Sequence, residues 1–179
     1  MYRIRKSIDI DFAHHIRGHA GMCIHVHGHT WKFEVELEAE SLDEDGFVVD
    51  FGLLKREVLR PCHALLDHSL AMGEATYREG ENALAQLGDG LLASREPRHG
   101  QRETSASDVT RLGGAENRYP GGMKVAVFPF SPTSERLAHW LAGVAADKLE
   151  DGRVRVACAR IYETLHPVQS VAEYRPPSR

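Results

Sequence analysis

Cysteine is scarce in this chain of 179 residues. Three cysteines, an odd number without regular spacing, exclude a disulfide framework and point to free, catalytic or metal-bound thiols. No apolar run is long enough to span a bilayer. The first residues, MYRIRKSIDID, lack the apolar core of a signal peptide, so a cytoplasmic protein is expected. There is no excess of basic residues either. The formal net charge of −4 gives no footprint for nucleic acid, and neither nucleic acid nor membrane is an expected partner. No internal repeat is present. The hydrophobic share of 42% is that of an ordinary globular domain, and the length suits one domain over residues 1–179.

Histidine is abundant instead. There are 11, and His14, His15, His19, His25, His27 and His29 fall in one short stretch. Ile4, Ile8, Ile10 and Phe12 recur at even positions, the period of a half-buried strand. From Thr30 to Ala39, Trp31, Phe33, Val35, Leu37 and Ala39 alternate with polar residues, which marks a second strand. SLDEDGF is a turn closed by Gly46. Asp50 can cap a helix with Leu54, Val58 and Leu65 on one face, although Pro61 disturbs its second half. A second helix starts near SPTSE, capped by Ser131 or Thr133 with Pro132 in its first turn, and carries Leu137, Leu141 and Val144. Val154, Val156 and Cys158 open another strand, and Val168 to Tyr174, after the break at Pro167, is the last.

The order is β-β-α-α-β-β, an α+β layer with two helices on one face of an antiparallel sheet. Between the helices lies a long polar region, about 71–122, read as a surface insertion or lid, with MKVAVFPF just after it as an added short strand. Open sheet edges favour joining of sheets between subunits.

Parity places the histidines. His14 continues the apolar face of the first strand, and His27 and His29 begin that of the second. In an antiparallel hairpin the three converge at one end of the same face. Three imidazoles with a free position are the ligand set of a catalytic zinc, though other divalent metals accept imidazole as well. His15 and His19 fall off this face, as solvated or substrate-facing groups, and His25 is a fallback ligand. Cys23 has three readings from its spacing: a fourth zinc ligand closing a structural site, a buried small residue, or a free thiolate beside the metal. Cys62 and Cys158 read as core thiols.

These segments together resemble the zinc-dependent pterin synthases, the 6-pyruvoyltetrahydropterin synthases and the related bacterial 6-carboxytetrahydropterin synthases. IDFAH ends in His14 as the family's F-x-A-A-H segment does. CIHVHGH matches C-x-x-x-H-G-H, DFGLLK matches D-F-x-x-L-K, and Leu66-Asp67-His68 matches L-D-H. Pro132-Thr133-Ser134-Glu135 matches P-T-x-E, and Glu163-Thr164 matches the Glu-Thr after a strand. Phe12 stands where a small residue is common, Ala71 where Asn is often found, and the long middle region is unusual.

The resemblance implies the tunnelling fold (T-fold), whose subunits join as trimers that stack into hexamers with active sites at subunit interfaces. It implies Zn2+ on His14, His27 and His29, Cys23 as the proton-abstracting thiolate, and a catalytic set completed by Asp67 and His68. It also implies that Glu163, with Thr133 and Ser134, holds the pterin. The expected activity is a lyase turning 7,8-dihydroneopterin triphosphate into 6-carboxy-5,6,7,8-tetrahydropterin, with loss of acetaldehyde and triphosphate. A 6-pyruvoyltetrahydropterin product is the alternative. Two other classes compete, a non-catalytic pterin- or purine-binding protein and a structural zinc module. The bland readings are Asp67-His68 as a helix end and Glu135 as a capping residue.

Overall fold

β1 (Tyr2–His14) and β2 (His27–Ala39) are the long antiparallel hairpin that the alternation predicts. In their register Ile8 lies opposite Phe33, Ile10 opposite Trp31, Phe12 opposite His29 and His14 opposite His27. Even positions of β1 and odd positions of β2 therefore share one face. That face is the core, where Ile10, Phe12, Trp31, Phe33, Val35 and Leu37 are buried. The computed structural model describes residues 1–93, 109–166 and 169–177.

Asp50 caps the next helical run as expected, accepting from the Leu53 N–H at 3.0 Å. The run has three consecutive parts: α1 (Phe51–Leu54), a π-helical turn (Lys55–Leu59) and α2 (Arg60–Leu66). The π turn answers the difficulty of Pro61. In an unbroken α-helix the proline ring meets the carbonyl four residues back. Here the wider turn, in which the Arg60 N–H donates to Lys55 O, lets the chain continue as a helix.

The middle region departs from the expectation of a polar surface excursion. It contains β3 (Leu70–Gly73), a long helix α3 (Glu74–Leu92), the short strands β4 (Arg111–Leu112) and β5 (Ala115–Arg118), and β6 (Val125–Phe128). β6 is the added strand expected in MKVAVFPF. The part of the region at 94–108 lies outside the described residues. Then come α4 (Ser134–Leu149), β7 (Val154–Thr164) and β8 (Ser170–Tyr174). Val168 and Pro167, expected at the start of the last strand, also lie outside the described residues.

All eight strands form one sheet, in the order β4-β5-β6-β3-β1-β2-β7-β8. β1, β2, β7 and β8 pair antiparallel, as expected of the framework. The middle region adds parallel pairs, β1 with β3 and β3 with β6. On one face lie the run α1–α2 and α4, with Leu54, Val58, Leu65, Leu137 and Leu141 fully buried against the sheet.

α3 packs on the other face, over β3 and β6. It buries Tyr77 against Met72, Val125 and Val127, while Ala71, Ala126 and Phe128 on alternate positions face the first core. β6 is covered on both sides, which is why VAVF is apolar without alternation. Gly88 of α3 sits against the turn at Pro120–Gly122, where a Cβ would lie 2.6 Å from the carbonyl oxygens of Pro120 and Gly121. A Cβ at Gly80 of the same helix meets only the tip of Leu84, 3.9 Å away.

The two glycines therefore predict opposite outcomes. Gly80→Ala raises stability by roughly 0.5–1 kcal/mol, the helix-propensity gain. Gly88→Ala loses that gain to the clash, lowers the urea midpoint and speeds amide exchange along α3. Urea denaturation and hydrogen exchange of the two variants check this.

Candidate functional site

The hairpin register delivers the histidines to one place. His14 ends β1 and His27 begins β2, and their Nε2 atoms are 3.0 Å apart. His29, two residues on, shares their face, with ring centroids 6.2 Å from His14 and 5.1 Å from His27. Trp31 is the floor, its ring 4.9 Å from His14 and 5.5 Å from His29. Phe12 stacks beneath it at 4.7 Å, so this departure from the family pattern is a core residue that backs the floor. Glu163 comes from the end of β7, two residues beyond the buried Ile161 and on the same face. Its Oε1 lies 3.5 Å from His14 Nε2 and 3.8 Å from His29 Nε2.

The ring nitrogens show what this cluster can hold. His14 Nδ1 lies 3.2 Å from the carbonyl oxygen of Pro132, and His27 Nδ1 lies 2.8 Å from that of His25. A carbonyl only accepts, so both rings carry their proton on Nδ1. In neutral rings both Nε2 atoms then present lone pairs to each other across 3.0 Å, with no proton between them. Such a pair is satisfied by an electron-pair acceptor set between them. The carbonyl behind each ring is the usual outer support of a metal-bound imidazole. Burial holds the His14 imidazole below the ordinary histidine value, against the Pro132 hydrogen bond and the Glu163 charge, which raise it. His14 is accordingly neutral, the form that binds metal, around neutral pH. His14, His27, His29 and Glu163 together offer ligand atoms within 4.8 Å of one another, a group able to hold a metal ion. Cys23 and His25 do not belong to it. The contribution of His25 is its carbonyl, and its exposed side chain stays out of the cluster.

The N-terminus of α4 supplies the rim. Thr133 is the cap, accepting from the Arg136 N–H at 3.3 Å, so Pro132 precedes the cap and does not enter the first turn. Glu135 falls at the second helical position, one short of the place that a capping box requires. Ser134 Oγ donates to Glu163 Oε2 at 2.6 Å. Glu163 thus turns one oxygen to the serine and the other to the histidines.

Cys23 lies half-buried in a single turn of 3-10 helix (Met22–Ile24), and its carbonyl accepts from the Ile16 N–H at 2.9 Å. Among the described residues its thiol has no hydrogen-bond partner. Asp67 and His68 form the expected pair, with His68 Nδ1 2.9 Å from Asp67 Oδ2, and His63 Nε2 is 3.7 Å from the other carboxylate oxygen. The His68 side chain is 81% exposed, and its N–H donates to the carbonyl of Asp11. The backbone of Cys23 is thus tied to Ile16, and that of His68 to Asp11 within β1. Among the described residues no hydrogen bond joins the thiol to this pair.

Of the remaining histidines, His19 accepts from the Gly21 N–H at 2.8 Å in its loop. His15 is off the face, as parity requires, but its Nδ1 is buried and, among the described residues, unpartnered. Ala71 is fully buried and pairs with His14 across the β1–β3 ladder.

A model of the 6-pyruvoyl tetrahydropterin synthase family matches residues 3–177. The chain belongs to this family. Among curated members, it is 33% identical over 88 residues to the 6-carboxy-5,6,7,8-tetrahydropterin synthase of Rickettsia bellii, a match over 49% of this chain and 64% of that protein. The chain spans 52% to 64% of the length of the first curated relatives it matches. An uncharacterized protein from Wolinella succinogenes superposes with a TM-score of 0.71 at 23% identity, over 98% of each chain. The Caenorhabditis elegans 6-pyruvoyl tetrahydropterin synthase superposes with a TM-score of 0.55 at 14% identity, over 98% of this chain and 96% of that one. At such identities these neighbours speak to the fold, which is the expected α+β tunnelling fold.

The three cysteines of this family member differ in a way that can be measured. Burial pushes the Cys62 thiol well above its ordinary range and the Cys158 thiol up to about 12, so both stay protonated and shielded. A thiol reagent at pH 8 is expected to label one cysteine in the native chain, Cys23, and three after unfolding, as read by mass spectrometry of the peptides.

Proposed function

We propose that the protein is a zinc-dependent lyase that takes 7,8-dihydroneopterin triphosphate and water to 6-carboxy-5,6,7,8-tetrahydropterin, acetaldehyde and triphosphate. The observation that carries this is the convergence of His14, His27 and His29 on one sheet end beside the Glu163–Ser134 pair. The names of the curated relatives support the same reaction. In this reading His14, His27 and His29 hold Zn2+, which when bound would polarise the oxygens of the substrate side chain.

The chain's own groups then divide the work. Glu163 accepts two hydrogen bonds from the 2-amino and N3 positions of the pterin, as a carboxylate does from a guanidinium. Ser134 fixes the orientation of that carboxylate, and Thr133 anchors the helix that carries the serine. Cys23, as the thiolate, takes protons from the side-chain carbons, and the His68 imidazole, oriented by Asp67, moves protons on the other side. Trp31 and Phe12 close the floor against water. In this reading the site is completed between subunits, in a homo-oligomer of trimer or hexamer type. Nothing in this reading needs a membrane or nucleic acid, and among the described residues no helix is long and apolar enough to cross a membrane. It places the protein in the cytoplasm, in the route to deazapurines such as queuosine.

The product decides the reaction. Zinc-loaded protein incubated with 7,8-dihydroneopterin triphosphate is expected to release acetaldehyde and the 6-carboxy product by mass spectrometry. A 6-pyruvoyl product would move the assignment to the other branch of the family, and no turnover would retire both. Chelation is expected to abolish turnover and spare the fold, whereas a structural zinc module would unfold.

Cys23→Ala and His68→Ala are each expected to lose most activity while keeping their metal. Mixed oligomers refolded from the two inactive variants should regain activity if one subunit's thiol works with another's Asp67–His68 pair. A non-catalytic binding protein would be indifferent to either change.

A further inference from the structure

His68 stands out in the backbone. It is the one non-glycine residue with a positive φ, 55°, among the described residues. It comes directly after Asp67, the C-cap of α2, at the position where glycine is usual, because a Cβ in the left-handed region is strained. A histidine held there signals that the side chain is wanted at a fixed angle. The question is what holds it.

The end of α2 gives a complete account. A helix leaves its last four carbonyls without partners inside the helix. Here His63 O accepts from the Asp67 N–H at 2.8 Å, and Leu66 O from the Ser69 N–H at 3.0 Å. Ala64 O accepts from Lys124 Nζ at 2.9 Å, and Leu65 O from the Asn117 side-chain amide at 2.6 Å. The same Lys124 ammonium also donates to Asp67 O at 2.7 Å, the carbonyl directly before His68. The Leu70 N–H closes the loop onto Lys124 O at 3.1 Å. On the far side, the His68 N–H is tied to Asp11 O at 2.8 Å. The peptide between Asp67 and His68 is therefore held at both ends, by β1 on one side and by a lysine on the other. Both capping side chains come from the middle region, Asn117 from β5 and Lys124 from the residue before β6.

We propose that Lys124, with Asn117, is a positioning residue of the middle region that caps α2 and holds Asp67 and His68 at their working angle. This rests on the role given to His68 above. Lys124 touches neither substrate nor metal in this account. Its bond to Asp67 O holds the peptide from which the imidazole projects, its bond to Ala64 O ties that peptide to α2, and Asn117 fixes the last turn of the helix. The added strands thereby become a support for the site.

The test uses the full-length, zinc-loaded protein. Lys124→Met, close in shape but without a donor, is expected to lower kcat on the order of a hundredfold, the cost of a small misplacement of a reacting group. KM and zinc content should stay unchanged. Lys124→Arg should recover most of the rate. Independently of turnover, 15N spectra of the His68 ring should show the Nδ1–H form bonded to Asp67 in the wild type and lose that signature in Lys124→Met. If Lys124→Met fails to fold, Lys124→Gln replaces it, with a smaller loss of rate and of signature expected. An unchanged His68 signature or an unchanged kcat overturns the proposal. A signature that vanishes while the wild type itself makes no pterin product retires the reaction proposed above and leaves the positioning standing.

Discussion

The register of β1 against β2 is the constraint on which the rest depends. With Ile10 opposite Trp31, every second residue of both strands faces the core, and the same alternation carries on to His14, His27 and His29. A slip of one residue would send the apolar set to solvent and scatter the imidazoles over both faces. Burial of Trp31, Phe33, Val35 and Leu37 penalises any such slip, and the Trp31 indole locks the correct one by donating to Phe12 O at 3.1 Å. The hydrophobic core therefore sets the metal-competent geometry directly.

The opposite face of β1, β2, β7 and β8 has a different logic. It carries Glu34, Glu36 and Glu38, yet Glu34 and Glu38 are buried, because arginines lie across them. Arg160 reaches Glu34, Glu36 and Glu173 at 2.9, 2.9 and 2.6 Å, and Arg155 reaches Glu38 at 2.6 Å. Arg175 and Arg160 hold the Glu173 carboxyl down to about 2. A depressed carboxyl contributes stability above its ordinary range and loses it as pH falls through the folded value, so the pairs of Glu173 with Arg160 and Arg175 persist well into acid. Acids and bases balance across it, which agrees with a chain whose charge shows no preference for a polyanion.

What is legible in the sequence follows from how each signal is written. Strand parity is written in side chains, so the order of residues alone places the hairpin, its buried face and the three histidines. The cap at Asp50 and the start of α4 near Thr133 are legible for the same reason. The supports of the site are not. Pro132 and His25 act through carbonyl oxygens, which leave no mark in a sequence. α3 is hidden because Gly80, Gly88 and Gly90 weaken a helical pattern, and Gly88 is there for a backbone approach that only the fold reveals. β3, β4 and β5 are too short for a period to show. Asn117 and Lys124 are single polar residues whose partners lie more than fifty positions away.

The π turn at Lys55–Leu59 has a bearing on how this segment tolerates insertion and deletion. Each residue advances an α-helix by about 100°, and a π turn spends one more residue than an α turn over the same rotation. Leu54 before it and Leu59 at its end, five residues apart, both face the core because that surplus is absorbed there. Losing one residue would convert the turn to plain α-helix and leave the two leucines aligned, at the expense of seating Pro61 in an ordinary helix interior. Gaining one would rotate everything downstream, Asp67 included, by roughly a quarter turn. The length of the segment between Asp50 and Asp67 is thus coupled to the aim of His68.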